Sequence, residues 1–170
     1  CSGVEIIDEF FGGSTNIPVD VGNWDTSTVK SMRNLFSRMG SNYPLVSGSL
    51  TNLIGSSVED VNELFYACSI PNFNQDFSNW DMSSVKNANR MFSYTGTNIL
   101  DSNNQSSNSG WDVGAMVTGT SMFNGLSDFN VDLSNWNLSS AEDLAYMFAG
   151  CTSLNQDFSS WNISGVRIDG

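Results

Sequence analysis

Apolar residues recur along this chain at fixed spacing. Trp24, Trp80, Trp111 and Trp136 each stand twelve residues before a phenylalanine: Phe36, Phe92, Phe123 and Phe148. From Trp136 to Trp161 the unit is 161 − 136 = 25 residues long. Positions are counted below as offsets from the Trp column. Offset 5 is apolar in every copy, as Val29, Val85, Met116, Ala141 and Val166. Offset 11 holds Leu35, Met91, Met122 or Met147, each directly before Phe. A copy without Trp has Leu53 in that column and Val58, Val61, Leu64 and Phe65 at the matching offsets. The N-terminus joins the frame through Val4, Ile7, Phe10 and Phe11. Such a period marks a repeat architecture, because one unit cannot bury its apolar side and needs stacked neighbours to do so.

The three-residue spacing of Val58, Val61 and Leu64 predicts one face of a short helix or 3₁₀ turn. The residues before Trp, such as Phe77-Ser78-Asn79-Trp80, predict a short strand. One short strand plus one short helix or 3₁₀ turn per unit is the pattern of a leucine-rich-repeat-like solenoid, here of about six to seven stacked coils in a single domain over residues 1–170. The Trp and Phe columns then form two aromatic ladders. Cys1 at offset 2 and Val166–Gly170 both fall inside a unit, so the chain is expected to be a segment of a longer array.

Polar columns have a structural reading too. Asp25, Asp81, Asp112, Asn137 and Asn162 follow Trp directly, with Ser or Gly two residues later. That chemistry suits Asx turns or helix N-caps, in which a side-chain oxygen accepts a backbone N–H. Asn23, Asn52, Asn79 and Asn135 precede the Trp or Leu column, and a stacked Asn ladder is preferred there to ligand binding.

The stretch from Phe to the next Trp-column residue varies. It is thirteen residues in the short copies, 17 from Phe36 to Leu53, 15 from Phe65 to Trp80 and 19 from Phe92 to Trp111. All extra length therefore falls in one part of the unit, where inserted loops often carry a repeat protein's specificity. The longest insertion, Ser93 to Gly110, offers Asn98, Asp101, Asn103, Asn104 and Asn108 as candidate ligand-binding residues. A tolerated polar insertion is the alternative.

Composition narrows the function classes. With 18 acidic and 6 basic residues the net charge is −12, which argues against nucleic acid and against electrostatic docking on an anionic membrane. No run of eighteen apolar residues exists to insert into a bilayer. Ser and Asn abound while only 14% of residues are charged, a composition seen on secreted and cell-surface proteins. There is no His, the commonest general base and zinc ligand. No nucleophile elbow, P-loop or dinucleotide fingerprint occurs either, so no enzyme and no cofactor are expected. Asp20, Asp76, Asp132 and Asp157 share offset −4. Asp132 and Asp157, in adjacent units, are the candidates for a calcium ion. Turn-bonded carboxylates are preferred, since Ser49 and Ser107 break the column. In-register carboxylates are also better explained by repetition than by glycosidase chemistry. Cys68 and Cys151 occupy equivalent positions three units apart, about 14 Å at strand spacing and beyond disulfide reach, and are expected to be buried free thiols. Cys1 fits either a lipid-bearing N-terminus or an apolar repeat position. Asn104, Asn137 and Asn162 match the N-glycosylation sequon.

Phe73-Asn74-Gln75-Asp76-Phe77-Ser78-Asn79-Trp80-Asp81-Met82-Ser83-Ser84-Val85, Met147-Phe148-Ala149-Gly150-Cys151 and Leu154-Asn155-Gln156-Asp157-Phe158-Ser159-Ser160-Trp161-Asn162 resemble the BspA-like leucine-rich-repeat surface proteins. More closely, they resemble the 25-residue repeat of unknown function found in mycoplasma lipoproteins and other microbial surface proteins. The resemblance implies display outside the cell or at its surface, and adhesion to protein or glycan on host or neighbouring cells. It supplies no catalytic residues. The expected function is a non-enzymatic recognition module that binds through one face and its inserted loops and adjoins flanking repeats of the same chain. The alternative is a structural stalk, fibre or surface-layer element.

Overall fold

The computed structural model describes residues 3–14, 20–40, 50–69, 77–95 and 110–167. The chain passes through successive layers, one per repeat, joined at a single column. Ile6, Ser31, Asp60, Asn87, Thr118 and Asp143, all at offset 7, bridge in parallel, each to the next. From that column onward the backbone bonds alternate. Met32, Asn34, Phe36 and Arg38 donate their N–H groups to the carbonyls of Asp60, Asn62, Leu64 and Tyr66 in the next layer, at 2.7–3.0 Å. The residues between them donate back along the chain, Leu35 to Met32 and Ser37 to Asn34. The same alternation carries Gly119, Ser121, Phe123 and Gly125 onto Asp143, Ala145, Met147 and Ala149. The halves of the layers that carry these bonds span 6–13, 31–38, 60–67, 87–94, 118–125 and 143–150, and are called the ladder halves below.

This geometry corrects the expected leucine-rich-repeat-like solenoid of strand plus short helix. Among the described residues there is no helix, and no strand extends beyond a single bridged residue. A 3₁₀ turn would direct each N–H to the carbonyl three residues back, whereas here every second N–H leaves for the next layer. The backbone also enters the left-handed region twice per layer. At offset 10 stand Glu9, Asn34, Glu63, Arg90, Ser121 and Tyr146, with φ between 52° and 60°. Four residues later come Gly13, Arg38, Ala67, Tyr94, Gly125 and Gly150, with φ between 54° and 83°. No right-handed helix passes through such residues. The segment before Trp is a turn rather than a strand: the Trp80 N–H bonds the Phe77 carbonyl at 3.1 Å, and the Trp24 and Trp136 N–H groups make the same bond to Val21 and Leu133.

The apolar columns nonetheless form the core. Val29, Val58 and Val85 at offset 5, Leu35, Leu64, Met91 and Met122 at offset 11, and Phe36, Phe65, Phe92 and Phe123 at offset 12 are all buried. Rings at offset 12 stack face to face through the molecule, Phe11 on Phe36 at 5.7 Å, Phe36 on Phe65 at 5.2 Å, Phe65 on Phe92 at 5.6 Å, Phe92 on Phe123 at 6.0 Å and Phe123 on Phe148 at 5.7 Å. The planes of successive rings lie within 8° of parallel. Trp80, Trp111 and Trp136 form the second ladder at 5.8 and 6.4 Å. Three indole N–H groups have a polar partner in the layer before: Trp80 donates to the Leu50 carbonyl, Trp111 to Phe77 and Trp161 to Leu133. A buried Trp needs such an acceptor, and this bond fixes the register of one layer on the next.

Candidate functional surface

Each layer presents two polar sides. The side beginning at the Trp column is built from Asx turns. Asp25 and Asp81 accept both the backbone N–H and the hydroxyl of the Ser two residues on, Asp112 accepts from Gly114, Asn137 from Ser139 and Asn162 from Ser164. These are the Asx turns read from the sequence, without the helix caps. Asp20, Asp132 and Asp157 close the same turn at offset −4, onto Gly22, Ser134 and Ser159. The Ser27 hydroxyl, and then its N–H, holds the Asp25 carboxyl below the usual range. For Asp132 and Asp157 the first cause is the backbone N–H of Ser134 and Ser159, followed by their hydroxyls. The two calcium candidates thus repeat one turn in adjacent layers, and no group of three or more metal-ligating side chains gathers among the described residues. The Asn ladder is present as one step, from the Asn79 amide to the Asn52 oxygen at 3.3 Å.

The ladder side carries mixed charge and aromatic rings. Offset 6 runs Glu5, Lys30, Glu59, Lys86, Val117, Glu142, Arg167 through successive layers, alternating in sign except at Val117. Lys30 pairs with Glu5 at 3.1 Å, Lys86 with Glu59 at 2.6 Å, and Arg167 with Glu142. The Lys86 hydrogen bond and its charge hold the Glu59 carboxyl below its ordinary value. Beside this column a chain of amides and hydroxyls crosses the layers. Asp60 caps the Asn62 N–H and receives the Asn87 amide, while Asn89 accepts from the Thr118 hydroxyl and the Thr120 N–H.

Farther round the same side, Arg38 lies over the Tyr66 ring at 5.6 Å, and Tyr66 meets Tyr94 edge to face at 6.3 Å. Arg90 pairs with Glu63 at 3.2 Å next to them. Tyr94 is 59% exposed and Tyr146 73% exposed, both with left-handed backbone. Tyr94 rests over Gly125: a Cβ there would come within 2.9 Å of the ring, and with φ at +83° the position suits glycine twice over. None of these tyrosines or arginines stood out in the sequence. The signal was present, since Tyr66, Tyr94 and Tyr146 share offsets 13, 14 and 10 with charged or small residues, but a polar column carries no period of its own.

Asn98, Asp101, Asn103, Asn104 and Asn108, the candidates of the longest insertion, lie outside the described residues, as does Cys1. Cys68 is buried and Cys151 half-buried, both free. Their thiols donate to the carbonyls of Phe36 and Phe123, so the two make the same contact three layers apart. Burial pushes the Cys68 thiol up to about 12 and the Cys151 thiol up to about 11, and both stay protonated and unreactive at neutral pH.

Stacked repeats, a buried aromatic spine and two unlike polar sides define a repeat protein. The family described as "Mycoplasma protein of unknown function, DUF285" matches residues 1–105 and 97–168, and this chain belongs to it. No curated protein and no solved structure matches the chain.

Proposed function

We propose that this chain is a non-enzymatic recognition or adhesion module, displayed at a cell surface or secreted, which binds protein or glycan through its ladder side. The observation that carries this reading is the cluster of Tyr66, Tyr94, Arg38 and Arg90 with the exposed Tyr146 on one side of the stack. Tyr and Arg are the side chains that anchor recognition surfaces, because they offer large contact area, polar tips and little entropy to lose. The resemblance to BspA-like and other microbial surface repeats supports the same location and role. The ligand is of the protein or glycan class on host or neighbouring cells, met by this side and by the insertion from Ser93 to Gly110.

The test is capture from cell-surface extracts and glycan mixtures by the parent chain, by Tyr94→Ser/Tyr146→Ser and by Asp25→Asn/Asp112→Asn. Loss of the partner with the tyrosine variant alone supports the reading. Equal capture by all three, or none by the parent, removes it. A second reading, a stalk or fibre element, draws on the stacking of like layers in one direction through the parallel bridges at offset 7.

A further inference from the structure

A recess of about 360 Å³ opens along the ladder side and spans three layers. Glu9, Asn34 and Glu63, the offset-10 residues of those layers, line it from one column. Gly12, Gly13, Ser37 and Arg38 line it from offsets 13 and 14. The glycines make the room. In other layers these two offsets carry Tyr66, Tyr94 and Arg38, whereas a Cβ at Gly13 would meet nothing within 4 Å.

The backbone about the recess is satisfied. The N–H groups of Gly12, Gly13, Asn34, Ser37 and Arg38 bond the carbonyls of Glu9, Ser37, Asn62, Asn34 and Tyr66 at 2.7–3.1 Å. The side chains are not. The Glu9 carboxylate and the Asn34 amide have no hydrogen-bond or ion-pair partner among the described residues. Neither has the Ser37 hydroxyl, although Ser37 is only 5% exposed. Enclosing a hydroxyl without a bond is costly, and the recess is the direction from which it can gain one. Lys30, Arg33, Lys86, Arg90 and Arg167 all have ion pairs; Arg38 has none among the described residues. Its guanidinium is held instead over the Tyr66 ring, which leaves its N–H groups free to donate.

Charge and shape select the ligand class. Glu9 and Glu63 are balanced by Arg38 and by Arg90, which pairs with Glu63 at 3.2 Å. An anionic ligand would meet the Glu9 carboxylate, and a cationic one the Arg38 guanidinium. Acceptors on Glu9 and Glu63, donors on Arg38 and both on Asn34 and Ser37 call for a neutral molecule that donates and accepts from neighbouring atoms. Hydroxyl groups on a ring do this. No apolar side chain lines the recess, so it gives no seat to the aliphatic or aromatic anchor of a protein partner. The offset-10 side chains repeat at a layer spacing of about 5 Å, comparable to the width of one sugar ring. We infer that the recess is a subsite for one neutral sugar residue of a glycan, whose hydroxyls donate to Glu9 and Glu63 and accept from Arg38, Asn34 and Ser37. This rests on the ladder-side reading and narrows its ligand from protein or glycan to glycan. Arg38 joins the recess to Tyr66 and Tyr94, the aromatic surface for the rest of the glycan.

The experiment is saturation-transfer NMR with the methyl glycosides of glucose, galactose, mannose and N-acetylglucosamine, and with glucuronic acid and glucosamine as charged controls. At least one neutral glycoside should bind the parent saturably in the millimolar range and in preference to both charged sugars. Gly13→Tyr fills the recess and should abolish that binding. Its φ of 66° is of the kind that Tyr94 already adopts in the same column, at 55°. Arg38→Met and Glu9→Gln should each weaken binding about ten-fold, while Asp25→Asn/Asp112→Asn on the other side leaves it unchanged. Melting curves establish that each variant is folded, and Arg38→Met carries the test if Gly13→Tyr is not. Absence of neutral-sugar binding to the parent, equal binding by the folded Gly13→Tyr, or preference for a charged sugar overturns the inference. Without sugar binding, a protein captured from cell-surface extracts and lost only by Tyr94→Ser/Tyr146→Ser overturns the sugar subsite and leaves the ladder-side reading standing. Neither sugar binding nor capture by the parent removes both.

Discussion

Ser93 shows how a repeat can carry a misfit residue. Its side chain is 1% exposed and its hydroxyl has no partner, although its backbone N–H and carbonyl bond Arg90 and Ala67. Offset 13 holds Ala149 in the last ladder half, so the position needs no hydroxyl. An orphaned buried hydroxyl costs about 1–3 kcal/mol of desolvation, while replacing it by hydrogen leaves a gap too small to cost as much. Ser93→Ala should therefore leave stability unchanged or raise it by up to about 1 kcal/mol, read as a shift in the urea midpoint at constant slope. A loss of stability would mean that the hydroxyl is partnered in solution. The surrounding residues follow the opposite rule. The indoles of Trp80, Trp111 and Trp161, the thiols of Cys68 and Cys151 and the carboxylates of Asp25 and Asp81 end on a partner, and each of these partners is set by the repeat frame.

At the scale of the layer, the sequence revealed the period, the core columns, the two aromatic ladders and the Asx turns, because each rests on residue types that recur in register. It did not reveal the backbone path. Apolar residues three apart lie on one face of a 3₁₀ turn, but they face the same core equally well in a run of turns whose alternate N–H groups leave for the next layer. The usual warning of left-handed backbone is Gly or Asn. Here Glu9, Glu63, Arg90, Ser121 and Tyr146 fill offset 10, and only Asn34 fits the rule. Stacking imposes the conformation: four cross-layer bonds per junction outweigh about 1–2 kcal/mol of strain per non-glycine residue. A measurement separates the two backbones. In a helix, Ala67→Gly would cost about 1 kcal/mol. With φ at 54° for Ala67, glycine relieves strain and gives up about 0.5–1 kcal/mol of chain entropy. Ala67→Gly should thus be neutral or stabilising by up to about 1 kcal/mol in denaturant unfolding, and a clear loss would restore the helical reading. The tyrosine and arginine cluster stayed illegible for a related reason. It is assembled from offsets 10, 13 and 14 of different layers, and only the stacking register brings them together.

Over the whole molecule, charge is divided between the two sides. Every Lys and Arg, namely Lys30, Arg33, Arg38, Lys86, Arg90 and Arg167, lies at offsets 6 to 14. The Asx-turn side has Asp20, Asp25, Asp81, Asp112, Asp132 and Asp157 with no cation among its described residues. Six cations can pair with at most six of the 18 acids, leaving at least 18 − 6 = 12 carboxylates uncompensated. Salt then acts in two directions. It weakens the five cross-layer ion pairs, all of them exposed at one or both partners and worth about 0.2–1 kcal/mol each. It also screens repulsion between carboxylates in neighbouring layers. At a layer spacing of about 5 Å, two such charges in water repel by roughly 0.8 kcal/mol, and the excess acts over the whole length of the stack. A Debye length near 10 Å at about 0.1 M spans about two layers, so modest salt already removes the long-range part of the repulsion, while contact pairs on the ladder side keep more of their attraction. Repulsion therefore outweighs the ion pairs in the response to salt. Raising NaCl from about 10 mM to about 0.5 M should increase the melting temperature by a few degrees. A melting temperature that falls with salt would mean that the cross-layer ion pairs outweigh the repulsion between carboxylates.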